Sequence, residues 1–362
     1  MAKRISFIFI LGLLACLLYT VSAYDALERR MLERLSEERM KNVTVTGLRV
    51  PDPQPAFQPS AGTPPPPEET AAPSAPEAEE TMAEPPAPEQ DSPEGAAEYV
   101  AGDGSTIKET TIRGGLSIKN ETGYWVDAAQ IISDGPGLSL PSGEPQILLI
   151  HTHSSEAYTQ AGLDRYEPSD SNRTENTEFN VVRIGDELAA IFQQAGLVVI
   201  HDRGIYDYPS YTGSYTRSGQ VISQYLKDYP SLRIVIDIHR DALGSDGVVY
   251  KTMAEEEGSC ASQIMLLVGS DESGLQHPLW RENLALALYL QNTVNSVNPT
   301  LMRPVDLVPQ RYNQHLSTGQ LIMEVGSSGN TLQEALAAIR LFGNAAAPAL
   351  LELVEAEAEL EE

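Results

Sequence analysis

ILLIHTHSSEAY, from Ile147 to Tyr158, runs four apolar residues directly into two histidines, a glutamate and a tyrosine. A short unbroken apolar run reads as a strand buried on both faces, the kind found in parallel sheets. Outward from it the same texture repeats. LVVIHD, RIVIDIH, QIMLLVG and LIMEVG are four more candidate strands. Between them lie helical patterns near Tyr211 to Leu226, Asn283 to Val294 and Thr331 to Phe342. NVVRIGDELAAIFQQAG places Val181, Ile184, Leu188 and Ile191 or Phe192 on one helical face and stops at Gly196. The pattern predicts an α/β fold with a mostly parallel sheet flanked by helices. In such sheets ligands bind outside the carboxyl ends of the strands, so polar residues at strand ends are where chemistry is sought.

Three strand ends carry such residues: HTHSSE after the first strand, HRDA after IVIDI, and MEVGSSGN in the last. Histidine and carboxylate are ligands that zinc accepts, and catalytic sites use three, with the fourth position left for water. His153 and Glu156 have the HxxE spacing that lets a turn bring both to one ion, and His239 supplies a third ligand. His151 is an alternative to His153, because strand alternation puts both on one face. Whichever does not bind is left to orient water or substrate. Glu178, just ahead of the first long helix, is an alternative to Glu156, although an acid near a helix start also favours the helix dipole. Glu324 lies inside an apolar strand, where a carboxylate needs a partner, and a metal-activated water is a suitable one. Arg240 and Asp241 follow His239 directly and suit substrate binding, a hydrogen bond behind the ligands, or pairing with each other. The last helix opens on a capping box, Thr331 to Glu334.

The first hundred residues have a different composition. Ile5 to Ala23 carry no charge, follow Lys3 and Arg4, and are long enough to cross a bilayer as a helix. An uncleaved anchor and a signal peptide cleaved after VSA both fit, so residues 1–24 are a membrane or signal segment. Residues 25–50 begin with the mixed-charge stretch ALERRMLERLSEERM, a short amphipathic juxtamembrane helix. Residues 51–100 hold 14 of the 25 prolines and no Lys or Arg, so 51–104 reads as a disordered, extended linker. The catalytic domain then occupies residues 105–362. Its lead-in, Thr110 to Ile131, alternates around the turn-prone KNETG and suggests a hairpin. The formal charge of -27 argues against nucleic acid as a partner, since phosphate binding needs clustered cations. Cys16 and Cys260 are the two cysteines, and Cys16 lies in the first apolar run, which disfavours a structural disulfide or a cysteine metal cluster.

LLIHTHSSEAY, IVIDIHRDA, YNQHLS and LIMEVGSSGNTLQEA, in that order behind an apolar segment and a linker, resemble the stage II sporulation protein P family over residues 105 to 345. The resemblance implies a zinc-dependent N-acetylmuramoyl-L-alanine amidase that cuts peptidoglycan between glycan strand and stem peptide, with endopeptidase activity on cross-links. It implies forespore engulfment as the setting and stage II sporulation proteins D and M as partners. It places a single-pass protein with its catalytic domain between the mother-cell and forespore membranes. Glu324 matches the catalytic glutamate of the wider amidase class, and His151, His153 and His239 fall in the family's histidine motifs. One departure stands out. Typical cell-wall amidases have DPGHGG after the first strand, whereas HTHSSE is closer to the HxxE of zinc carboxypeptidases, which leaves the second ligand open between Glu156 and Glu178. A zinc carboxypeptidase-type peptidase and an inactive wall-binding module are the rival classes.

Overall fold

The computed structural model describes residues 98–100 and 105–356, except 113–115, 246 and 257. The membrane or signal segment, the juxtamembrane helix and most of the linker expected from the sequence lie outside the described residues.

Five of the strands sit where the apolar runs predict them. These are β4 (Ile147–Ile150), β5 (Val199–His201), β6 (Ile234–Asp241), β9 (Ile264–Gly269) and β11 (Gly319–Ser327). With β3 (Ile118–Asn120) and β10 (Val305–Val308) they form a seven-stranded sheet in the order β3-β10-β9-β11-β6-β4-β5. Every neighbouring pair is parallel except β9 with β11, so the expected mostly parallel sheet is found. A second, four-stranded sheet in the order β1-β2-β8-β7 uses β1 (Glu98–Val100), β2 (Thr106–Thr110), β7 (Gly244–Ser245) and β8 (Val248–Thr252). β1 thus lies ahead of residue 105 and pairs antiparallel with β2.

The lead-in is not a hairpin. β2 pairs parallel with β8 in the small sheet, while β3 pairs parallel with β10 in the large one. The KNETG turn forms, with Asn120 Oδ1 accepting from the N–H and hydroxyl of Thr122, but it leads to helix α1 (Ala128–Asp134) and not to a returning strand. Alternation identifies a strand without naming its partner, and here both partners come from more than 130 residues away.

β4 shows how the layers are divided. Its alternate residues Ile147 and Leu149 join the larger core, which includes Ile184, Leu188 and Phe192 of α2 (Val181–Ala195). The same core takes residues from α4 (Trp280–Val297) and α5 (Leu332–Leu351). Leu148 and Ile150 face the other way, onto Ile222 of α3 (Ser214–Asp228). All four β4 side chains are fully buried, each contributing about 1.5–3 kcal/mol. Asn180 caps the N–H of Val182 and Gly196 ends α2 at φ 107, while the Thr331–Glu334 capping box opens α5 as expected. α5 is long and apolar enough to span a bilayer, but Ala335, Ile339, Phe342, Ala346 and Leu350 bury it in this core.

Candidate metal centre

β4 ends at Ile150 and residues 152–155 turn, with the Ser154 hydroxyl donating to the His151 carbonyl at 2.6 Å. Past the strand end alternation no longer governs direction, and His151 and His153 do not share a site, contrary to the expectation. His151 is fully buried, with Nδ1 3.1 Å from the Ile238 carbonyl and Nε2 2.8 Å from His201 Nε2. His201 Nδ1 lies 3.2 Å from Asp186 of α2. Gly185 of α2 makes this approach possible, since a Cβ there would lie 2.5 Å from His201 Nε2 and 2.7 Å from His151 Nε2. Burial, then the neighbouring His201, lower the His151 pKa to about 3.

His153 belongs to a different cluster. Its Nδ1 is 3.5 Å from Glu156 Oε1, and Glu156 Oε2 is 3.3 Å from His239 Nδ1. Donor atoms of the three residues lie within 4.8 Å of one another, and all three residues are buried. Among the described residues this is the one such group of three. His153 Nε2 and His239 Nε2 are both enclosed without a hydrogen-bond partner, but His239 Nε2 has the Asp237 carboxylate 3.0 Å away whereas His153 Nε2 has none among the described residues. Two imidazoles and a carboxylate form a donor set that zinc accepts, and an enclosed imidazole nitrogen lacking a protein partner is what a bound cation or its ligand sphere would satisfy. The residues present therefore fit a metal ion.

Cations hold Glu156 in place. It accepts from the Arg240 backbone N–H at 3.2 Å and from the guanidinium Nη2 of Arg173 at 3.4 Å, with the guanidinium Nη1 of Arg240 at 3.8 Å. Burial acts to raise the Glu156 carboxyl, but the Arg240 charge and the contacts from His153 and His239 outweigh it and hold the pKa well below the usual range. Burial likewise disfavours charge on His239, yet Asp237 and Glu156 lift its pKa well above the ordinary value. Arg240 is buried, donating from Nε to the Ala157 carbonyl and from Nη2 to that of Asn172. These bonds leave little of it for the substrate contact expected from sequence. Nor does it pair with Asp241, which takes Arg303 at 2.7 Å. Glu178 is exposed and stands outside the cluster, its N–H bonded to Asn176.

Glu324 stands beside His239 in the parallel register of β11 and β6. The register then shifts before Ser327, and Gly326 takes φ 67, a value that favours glycine. Part of Glu324 stays open to solvent while Oε2 is enclosed and unpartnered. Burial, opposed by His239 and reinforced by Asp241 and Glu156, pushes its pKa up to about 8. Aromatic rings close the other side. Tyr211 stacks on His153 at 4.5 Å between centroids, Tyr215 meets the same ring edge-on at 5.3 Å, and Tyr312 packs on Tyr215 at 5.3 Å. Tyr312 holds φ 51, an uncommon conformation for a bulky side chain, and it presents that ring at the site.

Asp237, Arg173, Tyr211 and Tyr215 are the residues here that sequence reasoning passed over. For Asp237 a signal existed: it is an acid in an apolar strand two positions from His239, hence on the same face. The other three come from loops and a helix start whose route across the sheet edge has no sequence signature.

The fold and cluster define an α/β protein with a candidate metal centre at the carboxyl edge of its sheet. The family model described as stage II sporulation protein P (SpoIIP) matches residues 61–347, and the chain belongs to that family. Stage II sporulation protein P of Bacillus subtilis (strain 168) is 24% identical over 228 residues, 59% of this chain and 52% of the relative. The chain therefore spans about half the length of the curated relative it matches. Among solved structures, the N-acetylmuramoyl-L-alanine amidase AmiC2 of Nostoc punctiforme is similar at 15% identity, with a TM-score of 0.34 over 58% of this chain and 97% of that one. The N-acetylmuramoyl-L-alanine amidase from Clostridium difficile 630 is similar at 16% identity, with a TM-score of 0.33 over 58% and 98%.

Proposed function

We propose that this chain is a zinc-dependent peptidoglycan hydrolase of sporulation, cleaving the amide between N-acetylmuramic acid and the L-alanine of the stem peptide. The observation that carries the reading is the buried His153, Glu156 and His239 cluster with Glu324 directly beside His239 on the neighbouring strand. Family membership and the relative's name support the sporulation setting, and forespore engulfment belongs to the proposal. Endopeptidase activity on cross-links, an N-terminal membrane anchor, a catalytic domain between the two membranes, and stage II sporulation proteins D and M as partners belong to the same proposal.

His153, Glu156 and His239 are the residues that hold the ion. Bound zinc would supply an activated water and polarise the amide carbonyl. Glu324 takes a proton from the attacking water at its carboxylate and returns one to the leaving amine. A pKa lifted toward working pH suits a group that must do both. Arg240 and Arg173 keep Glu156 ionised and oriented, so they act through the ligand and not on substrate. Tyr211, Tyr215 and Tyr312 form an aromatic wall that limits water around the two histidines. His151 lies behind the site and positions the strand end through the Ile238 carbonyl.

Purified protein incubated with muramyl peptides and with plain peptides, followed by mass spectrometry, tests this. The expected products are stem peptides with a free L-alanine amino group, lost on chelation and restored by zinc. Chelator-insensitive release, or trimming of plain peptide carboxyl termini alone, would sink the proposal.

A further inference from the structure

Asp237 is 2% exposed and is used by no step above. It shares a face of β6 with His239, and its Oδ1 lies 3.0 Å from His239 Nε2. The opposite ring nitrogen, Nδ1, is the one that faces Glu156. Behind Asp237 runs a line of buried polar groups. Thr152 donates its N–H to Asp237 Oδ1 at 2.7 Å and its hydroxyl to Oδ2 at 2.6 Å. With that proton committed, the 2.7 Å contact between the Thr152 and Ser218 hydroxyls is donated by Ser218, whose proton is shared with the Tyr215 carbonyl at 3.3 Å. Asn313 then donates from Nδ2 to Ser218 Oγ at 3.1 Å and to the Tyr215 carbonyl at 2.9 Å. Gly219 leaves room for it, since a Cβ there would lie 2.7 Å from Asn313 Oδ1.

Counting protons along this line fixes a direction. Asn313 and the Ser218 and Thr152 hydroxyls each donate toward Asp237, so its carboxylate receives hydrogen bonds on both oxygens and stays an acceptor for one further N–H. We infer that Asp237 is a positioning residue that keeps the proton of His239 on Nε2 and so presents Nδ1 to the ion, with Thr152, Ser218 and Asn313 orienting Asp237 from α3 and the segment after β10. The 3.0 Å contact is an ion pair and not a well-aligned hydrogen bond, and a carboxylate at that distance favours the ring proton on Nε2 and makes Nδ1 the stronger ligand. The inference also gives Asn313 of YNQHLS a place, since it reaches Asp237 through three hydrogen bonds and the metal cluster only through the Asp237 contact with His239. It rests on the metal reading given under Proposed function.

The test uses the purified full chain loaded with zinc. Nitrogen-15 NMR of the histidine side chains is expected to show His239 with a proton on Nε2, protected from exchange, and with Nδ1 shifted as a metal-bound nitrogen. Zinc affinity, measured by competition with a chromophoric chelator, is expected to fall about 10- to 100-fold in Asp237→Asn, the usual cost of losing such a partner. Thr152→Val, which keeps the backbone bond to Asp237, and Ser218→Ala should fall less, in that order. A zinc bond at His239 Nε2, or folded Asp237→Asn protein with the parent's zinc affinity, overturns the inference. If Asp237 serves only to fasten the Thr152 turn, its variant loses melting temperature while the folded fraction binds zinc like the parent. Should Asp237→Asn fail to fold, the NMR assignment on the unaltered chain decides alone. A parent that takes up no zinc at all removes the metal reading itself, and this inference with it, a failure distinct from a zinc-loaded parent with the wrong ring nitrogen bound.

Discussion

Two histidine clusters flank the end of β4, built from residues two apart in sequence, and they meet opposite environments. His153 turns to Glu156 and His239, in a cluster held by two arginines and bordered by tyrosines. His151 turns to His201 and Asp186, sealed under α2 at Gly185. Charge separates the two. In the first cluster a carboxylate sits between two imidazoles, and His239 is lifted well above its ordinary pKa. In the second, imidazole meets imidazole directly and burial lowers His151 to about 3. One cluster offers converging donor atoms to a cation. The other satisfies its own nitrogens and serves as packing.

The comparison breaks most visibly through Glu324, which adjoins the first cluster and has no counterpart in the second. Glu324→Gln keeps size and shape but removes the base, so turnover should fall about 10²- to 10⁴-fold with metal content retained. Single-turnover rates and zinc content on one preparation check it. A stable, metal-loaded and fully active variant would remove Glu324 from the chemistry.

A smaller effect is expected on the sealed side. His151→Ala deprives His201 Nε2 of its partner and should cost about 1–3 kcal/mol of stability in denaturant unfolding. The variant that folds should turn over substrate at a rate close to the parent's. A variant of parental stability that has lost turnover would place His151 in the site after all.

A third effect is a pH dependence of the stability of the metal-free protein. Glu324 has its folded pKa raised to about 8 from the ordinary 4.5. Its contribution to stability is therefore fully present below about 4.5 and is lost as pH rises through about 8. With chelator present, Glu324→Gln and the parent should be close in melting temperature near the lower value, and the variant should gain on the parent as pH rises toward the upper one. An advantage that shrinks over that range would show Glu324 to be paired and ionised.

What was legible in the sequence follows the range of each signal. β6, β9 and β11 are six to nine residues long and β4 is an unbroken apolar run of four, and burial on both faces leaves such runs little choice of structure. β3 and β10 are three and four residues long, and their pairing joins Ile118 to Val305, a contact that no local pattern encodes. That His153, Glu156 and His239 come together was readable because polar residues at strand ends converge in this topology. The direction of His151 was not, because alternation fails where a strand gives way to a turn. Asp237 carried the same buried-acid signal as Glu324 and was overlooked in favour of the more polar strand ends.

The most direct test of the whole reading is zinc stoichiometry in His153→Ala and His151→Ala, purified side by side with the parent and measured by elemental analysis after dialysis. The structure predicts one zinc per chain in the parent and in His151→Ala, and none held by His153→Ala. Zinc retained by His153→Ala and lost from His151→Ala would exchange the roles of the two clusters and contradict it.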